Sequence, residues 1–398
     1  MRKKSVKRMF LLTVLLGIGL NIHHPVTPTL YTALNLPSRI FGTSMAVMYF
    51  FSFITSIFWG EISNHIGRIR TFRIACLFYG FGQLLLSLTS SEMMILCARA
   101  ISGAFSGGCL VTAMAYTIDV SDSQHRTKNL AIHAALQTSS AGVGYLLGGV
   151  LGTISFRLAF NTQALWMFLL SVLAYFYIED SYADKRAVSA SEIIATANPF
   201  KSFINARSVM NSLLCLFVVV VFLASFGTTC HENAFNYFLK AELDFKPFYN
   251  GIIKALNGAV ALTANFTINL WIINHTNIKK SAALILLLCS FTALGALIPG
   301  SMALFLGLNV LFFAANAIYQ PLMNSLAVEG KEGSQVGIIT GLFNAIKSMG
   351  NVTGSLMAGL VYGIHTSLPF ILSASVFLIA GTVAIIYWRR SEASLNQS

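Results

Sequence analysis

The sequence predicts an all-α membrane protein with twelve transmembrane helices in two pseudo-symmetric six-helix bundles. Three observations predict it. The 398-residue chain is 56% hydrophobic and only 10% charged, whereas soluble domains are about 45–50% apolar and about 25% charged. Its apolar residues fall in runs long enough to cross a bilayer, which takes about 20 residues. The two halves also repeat at a shift of 210 residues, which carries Asn64-His65 onto Asn274-His275, Arg70 onto Lys280, Asp119 onto Glu329 and Gly144–Gly149 onto Gly354–Gly359.

The first six spans run roughly over 9–31, 41–63, 71–89, 93–118, 129–152 and 162–178. The second six run roughly over 210–238, 248–272, 281–298, 301–326, 336–362 and 367–388. The expected organisation is therefore a bundle over 1–178, a linker over 179–209 and a bundle with a short tail over 210–398. The linker is more polar than its flanks, carries both signs of charge and contains Pro199. The first span follows a basic stretch but no small-residue cleavage site closes it, so it reads as an uncleaved helix. Of the 26 Lys and Arg residues, 19 fall on the side of the N-terminus and 4 on the other. That asymmetry places both termini in the cytoplasm. Six spans per half make the repeats parallel, related by an axis along the membrane normal.

The net charge of +12 would suggest nucleic acid in a soluble protein. Here most of the charge fills short loops between spans, so nucleic-acid binding is not expected. The six cysteines lie in or beside spans without a CxxC pair and read as small buried hydrophobes. The chain has no nucleotide-binding loop, zinc spacing or nucleophile arrangement. No enzyme, cofactor or metal centre is expected.

Three basic residues remain inside apolar runs: Arg99, Lys254 and Lys347. An ionised group in hydrocarbon costs about 2.5–3.5 kcal/mol even on lenient scales, so each should face a polar cavity or a partner. Arg99 and Lys254 lie about six residues, roughly 9 Å, from the outer ends of spans four and eight. Lys347 is near the middle of span eleven. No carboxylate in the middle of these runs neutralises all three, which implies a positive pocket and a substrate with negative groups. His23 and His24 fall in the outer half of span one, and His231 and Glu232 in that of span seven. The same shift carries Asn21 onto His231, His23 onto Asn233, Arg99 onto Asn309 and Gln137 onto Lys347. Asn316, Tyr319 and Gln320 add neutral polar groups in the inner half of span ten. The substrate-binding candidates are Arg99, Lys254, Lys347, His24, Asn316 and Tyr319. The proton-coupling candidates are Glu232, His23, His24 and His231, because histidine titrates near neutral pH. Plainer readings stay open: Arg99 as a helix brace, Lys254 as a snorkelling side chain, and the histidine doublet as a helix break beside Pro25.

Several motifs carry a family likeness. Gly60-Glu-Ile-Ser-Asn-His-Ile-Gly67-Arg68-Ile-Arg70 resembles the cytoplasmic loop motif of the major facilitator superfamily. Arg99-x-x-x-Gly103 is similar to its span-four motif. Tyr116-x-x-Asp119, followed by Arg126-x-Lys128, resembles the span-four exit of its drug and metabolite exporters. Gly142, Gly144, Gly148 and Gly149 are similar to its span-five antiporter motif. Two positions depart from the pattern: Asn64 stands where the family has an aspartate, and Tyr145 where it has a proline. The resemblance covers nearly the whole chain. It implies a central cavity lined by spans one, four, seven and ten, alternating access by rocking of the halves, and export by proton antiport. It also implies gating by Gly60, Gly67, Arg68, Arg70 and Asp119, with Asp119 paired to a loop arginine. Glu329 with Lys279 or Lys280 is the matching latch in the second half.

Within that class, a metal-chelating metabolite such as an opine metallophore or carboxylate siderophore suits a basic pocket, and a lipophilic cation suits it poorly. Proton symport of an anionic nutrient, an anionic-lipid flippase and a non-transporting sensor remain alternatives. The expected partners are a small-molecule substrate, protons and membrane lipid, for a monomer in the cytoplasmic membrane.

Overall fold

The computed structural model describes residues 2–122, 124–180, 204, 207, 210–297, 301–328 and 334–395, with helices throughout and no strand among them. The first half contains α1 (Arg2–Asn21), α2 (Thr27–Ala33), α3 (Arg39–Ile66), α4 (Arg68–Leu88), α5 (Glu92–Val120), α6 (Arg126–Ile154) and α7 (Phe156–Tyr177). The second contains α8 (Ser212–Ala241), α9 (Pro247–Ala264), α10 (Leu270–His275), α11 (Ile278–Ala293), α12 (Met302–Val328), α13 (Ser334–Tyr362) and α14 (Leu368–Leu395). Eight helical segments among the described residues are long and apolar enough to cross a membrane. The other four expected spans are α1 with α2, α6, α11 and α13, which are shorter or carry more polar residues. Most of the expected linker, and Glu329 with it, lies outside the described residues.

Span one takes the broken form that the sequence left open. It is two helices, with a non-helical stretch at residues 22–26 between α1 and α2. Pro25 explains the break, since it has no N–H to donate and its ring clashes with a helical carbonyl one turn back. Freed backbone groups inside a membrane must find partners within the protein. The His23 carbonyl accepts from the Thr27 N–H at 2.9 Å and the Thr27 hydroxyl at 2.8 Å. The Pro25 carbonyl accepts from Asn250 Nδ2 at 3.3 Å. Span eight is also interrupted, by one π-helical turn over Asn265–Asn269 before α10.

Helix ends follow local chemistry. Ser91 and Ser155 cap α5 and α7, and the Asn277 carboxamide oxygen accepts from the Lys279 and Lys280 N–H groups at the start of α11. Gly67 joins α3 to α4 at φ 103°, a conformation that side chains disfavour. A methyl group at Gly148 would run into the Ile22 carbonyl oxygen, so α6 lies against the break in span one there. Gly142, by contrast, has nothing within 4 Å of the position of a Cβ, so close packing does not account for that member of the series.

The chain forms two compact units. One comprises the described residues within Met1–Leu36, Val47–Pro199 and Leu239–Gly258. The other comprises those within Pro37–Ala46, Phe200–Phe238 and Ala259–Ser398. In the first, Gly251 at the start of α9 approaches Gly149 on α6; in the second, Gly42 at the start of α3 approaches Gly359 on α13. The 210-residue shift carries Gly149 onto Gly359, so each unit holds an equivalent small-residue crossing. The first core gathers Leu12, Leu16, Phe72, Tyr79, Met167 and Leu170; the second gathers Val221, Leu286, Phe312, Leu322, Phe343 and Phe377.

Candidate substrate and coupling site

The first unit brings Arg99, His23, His24 and Lys254 into one polar cluster built on the break in span one. Arg99 is fully buried, at 0% exposure. Its Nη2 donates to the Thr27 hydroxyl at 2.9 Å and the Tyr31 hydroxyl at 3.4 Å, and Nη1 reaches Met48 Sδ at 3.8 Å. All three partners are uncharged, and among the described residues the buried Nε has no hydrogen-bond partner. Arg99 thus braces the break through Thr27 while keeping an unneutralised charge and an unused donor. The His23 and His24 rings stack at 4.2 Å. His23 Nδ1 lies 3.2 Å from Gln163 Nε2 and 3.5 Å from the Tyr79 hydroxyl, and Gln163 also donates to the Gly19 carbonyl at 2.6 Å. Arg99 and Lys254 are both within electrostatic range of the two histidines. Lys254 is buried, with its ammonium 5.6 Å from the centre of the Tyr145 ring. That ring meets His24 edge-on at 5.7 Å. Tyr145, which stands where the resemblance expects a proline, is therefore an aromatic wall between His24 and Lys254.

The second unit gives several of its polar groups neutral partners. Half-buried Lys347 donates to Gln320 Oε1 at 2.7 Å. Asn316 Oδ1 accepts from the Thr228 hydroxyl at 2.8 Å, and Asn351 Oδ1 from that of Thr229 at 2.9 Å. Tyr319 lies buried in the apolar core of this unit. His231 Nε2 lies 2.8 Å from Asn309 Oδ1, an oxygen that only accepts, so Nε2 carries the proton. The ring is fully buried and stacks 3.8 Å from Phe312, among Phe235, Phe313 and Phe370. Packing of this kind isolates His231 from water, unlike its chain neighbour Glu232, which is partly exposed.

At the Asp119 end of α5, Arg68 Nε donates to Asp119 Oδ2 at 3.0 Å, with the two side chains 12% and 25% exposed. Arg68 Nη1 also donates to the Ser63 hydroxyl at 2.6 Å and the Gly60 carbonyl at 3.4 Å. Arg70 uses only its backbone N–H here, which donates to Asp180 at 3.2 Å. Gly60 has an ordinary neighbour in Val111. Lys279 donates to the Ser391 hydroxyl at 2.9 Å and Lys280 lies over the Trp388 ring at 5.5 Å.

Sequence reasoning missed Thr27, Tyr31, Tyr79, Gln163, Asn351 and Asp180. Gln163 falls at the very start of span six, where a polar residue is ordinary, and nothing local singles out Tyr31 or Asp180.

A sequence model of the Major Facilitator Superfamily matches residues 9–348. The chain belongs to the Major Facilitator Superfamily. Multidrug resistance protein 2 of Bacillus subtilis (strain 168) is 22% identical over 384 residues, spanning 96% of this chain and 94% of that one. Quinolone resistance protein NorA of Staphylococcus aureus (strain MRSA252) is 22% identical over 398 residues, spanning 96% of each chain. Among solved structures, a bacterial homologue of the human lysosomal transporter Spinster superposes with a TM-score of 0.79 at 13% identity, covering 98% of this chain and 97% of that one. The human organic anion transporter MFSD10 gives 0.68 at 16% identity, covering 96% and 99%. This member of the superfamily is thus a multi-pass membrane transporter of small molecules and not an enzyme.

Proposed function

We propose that this chain exports a small organic anion or zwitterion across the cytoplasmic membrane in exchange for protons, with both termini cytoplasmic. The observation that carries the reading is Arg99: a fully buried guanidinium whose hydrogen-bond partners among the described residues are all neutral and whose Nε has none there. Leaving a buried charge unneutralised costs several kcal/mol. A substrate carboxylate would recover part of that cost. In this reading Arg99, Lys254 and Lys347 attract the anion, while His24, Asn316 and Tyr319 position it. Glu232 is the main proton carrier, assisted by His23, His24 and His231. Gly60, Gly67, Arg68, Arg70 and Asp119 form the gate at the cytoplasmic end, with Glu329 in the corresponding place of the second half.

The relatives support export through their names, one as a quinolone resistance protein and one as a multidrug resistance protein. Quinolones carry a carboxylate, so such a substrate and a basic cluster are chemically compatible. Metal-chelating metabolites with several carboxylates suit the cluster equally well. The deciding experiment compares metabolites inside cells and in the medium, with and without the protein. Polycarboxylate or zwitterionic compounds should build up inside cells that lack it. A change confined to lipophilic cations would refute the anionic-substrate reading.

A further inference from the structure

His133 on α6 is a buried titratable group that none of the roles above uses. It lies seven residues after Arg126, where α6 begins. Its Nδ1 sits 3.1 Å from the Thr13 hydroxyl on α1 and 3.1 Å from the Thr117 hydroxyl on α5. Each hydroxyl also has a backbone acceptor one turn back, the Met9 carbonyl at 2.9 Å and the Ala113 carbonyl at 3.0 Å. A hydroxyl has one proton and two lone pairs. Both threonines are satisfied together when each proton goes to its carbonyl and each oxygen accepts from a shared Nδ1–H. The network therefore assigns the neutral tautomer with the proton on Nδ1. Nε2 is left as a lone pair. It makes no hydrogen bond among the described residues, and it is not one of the polar atoms sealed from solvent.

One turn nearer the N-terminal side lies a cavity of about 240 Å³. It is large enough for several waters. Ser121 and Asn129 line it with Lys7, Asp122, His125 and Lys128. Asn129 Nδ2 donates to the Ser121 hydroxyl at 2.9 Å, and that hydroxyl donates to the Thr117 carbonyl at 2.6 Å. The wall of the cavity is thus hydrogen-bonded to the residue that holds His133. The titratable groups nearest in sequence on α1 and α5 are engaged elsewhere or stand in the cavity. Arg8 on α1 lies over the Tyr177 ring, and on α5 Tyr116 donates to the Glu179 carbonyl while Asp119 pairs with Arg68. Asp122 accepts from His125, and Lys7 and Lys128 stand in the cavity lining.

We propose that His133 is a protonation site in equilibrium with water at the cytoplasmic end of the first half, serving the proton-coupled step of transport. Nε2 takes a proton from water to give the imidazolium, and returns it to water of the cavity when the ring becomes neutral again. Nδ1–H stays on the two threonines throughout. The coupling role rests on the antiport reading above; the tautomer and the titration do not.

The test uses the full-length protein in lipid nanodiscs, with nitrogen-15-labelled histidine and His133→Gln as the difference spectrum. The missing resonance should be an Nδ1–H tautomer that becomes imidazolium as the pH is lowered from about 9 to 5. An Nε2–H tautomer, or a ring that stays neutral throughout, would overturn the proposal. A transport arm follows norfloxacin in proteoliposomes under imposed pH gradients. Wild-type flux should rise about threefold or more as the cytoplasmic-face pH passes upward through that titration, and the rise should flatten in His133→Gln. An unchanged pH profile in the variant counts against the proposal, because a mere packing brace would leave it unmoved. A wild type that moves no norfloxacin under any gradient tells against the export reading instead, and the resonance alone then decides the case of His133.

Discussion

A charge buried in an apolar bundle is informative because it must be explained by its contacts. Arg99 and Lys347 have neutral partners, but of different kinds. Arg99 reaches two hydroxyls on α2 through Nη2 and Met48 Sδ on α3 through Nη1, so the two arms of its planar fork serve two helices. Arg99→Lys should therefore fold less stably and transport poorly, because one ammonium at the end of a flexible stem does not reproduce that fork. Thermal unfolding in detergent together with vesicle flux would check both effects. Among the described residues Lys347 donates to Gln320, on the neighbouring α12. Lys347→Ala should leave folding intact and lower transport by about tenfold or more. Normal flux in that variant would remove the case for a cationic pocket. His231 is enclosed by phenylalanines and paired with Asn309, so His231→Asn should lower stability as well as alter the pH dependence of flux.

At the scale of elements, the glycines of α6 separate into those that permit contact and those that do not. Gly148→Ala forces a methyl group into the Ile22 carbonyl at the break in span one, so α6 must move away from the break to admit it. A loss of about 1–3 kcal/mol is expected, read as a lowered unfolding midpoint. Gly142→Ala faces open space and should change stability by less than about 0.5 kcal/mol. Equal effects in the two variants would show that the glycine series acts by something other than packing. The break between α1 and α2 is the other decisive element. It turns an otherwise ordinary span into a platform that holds the histidine doublet and engages Arg99 through Thr27.

For the whole molecule, the expectations concern cycling between states. Asp119→Asn keeps the shape of the Arg68 contact but removes a charge, so it should slow turnover several-fold while leaving substrate affinity nearly unchanged. A binding assay that shows lost affinity at normal turnover would place Asp119 in the pocket instead. Proton coupling is tested by imposing a pH gradient on vesicles and recording the direction of flux. Exchange should be lost in Glu232→Gln or in the combined His23→Asn, His24→Asn, His231→Asn variant. Antiport that survives in both would locate the proton carrier elsewhere, with His133 the next group to examine.

The sequence by itself determined the membrane class, the twelve spans, the repeat and the family, because each depends on composition, period or a contiguous motif. It also singled out Arg99, Lys254 and Lys347, since a charge within an apolar run is visible without a structure. Only the tertiary structure decided what each charge touches. Tyr31 and Thr27 around Arg99, Tyr145 between His24 and Lys254, and the two threonines that hold His133 come from different helices, and no spacing along the chain records such meetings. Pro25 signals the break at residues 22–26 in the sequence, but the partner of its carbonyl does not show there, because Asn250 lies 225 residues away. Local chemistry fixed the helices, and packing between helices decided which of their polar groups became a site.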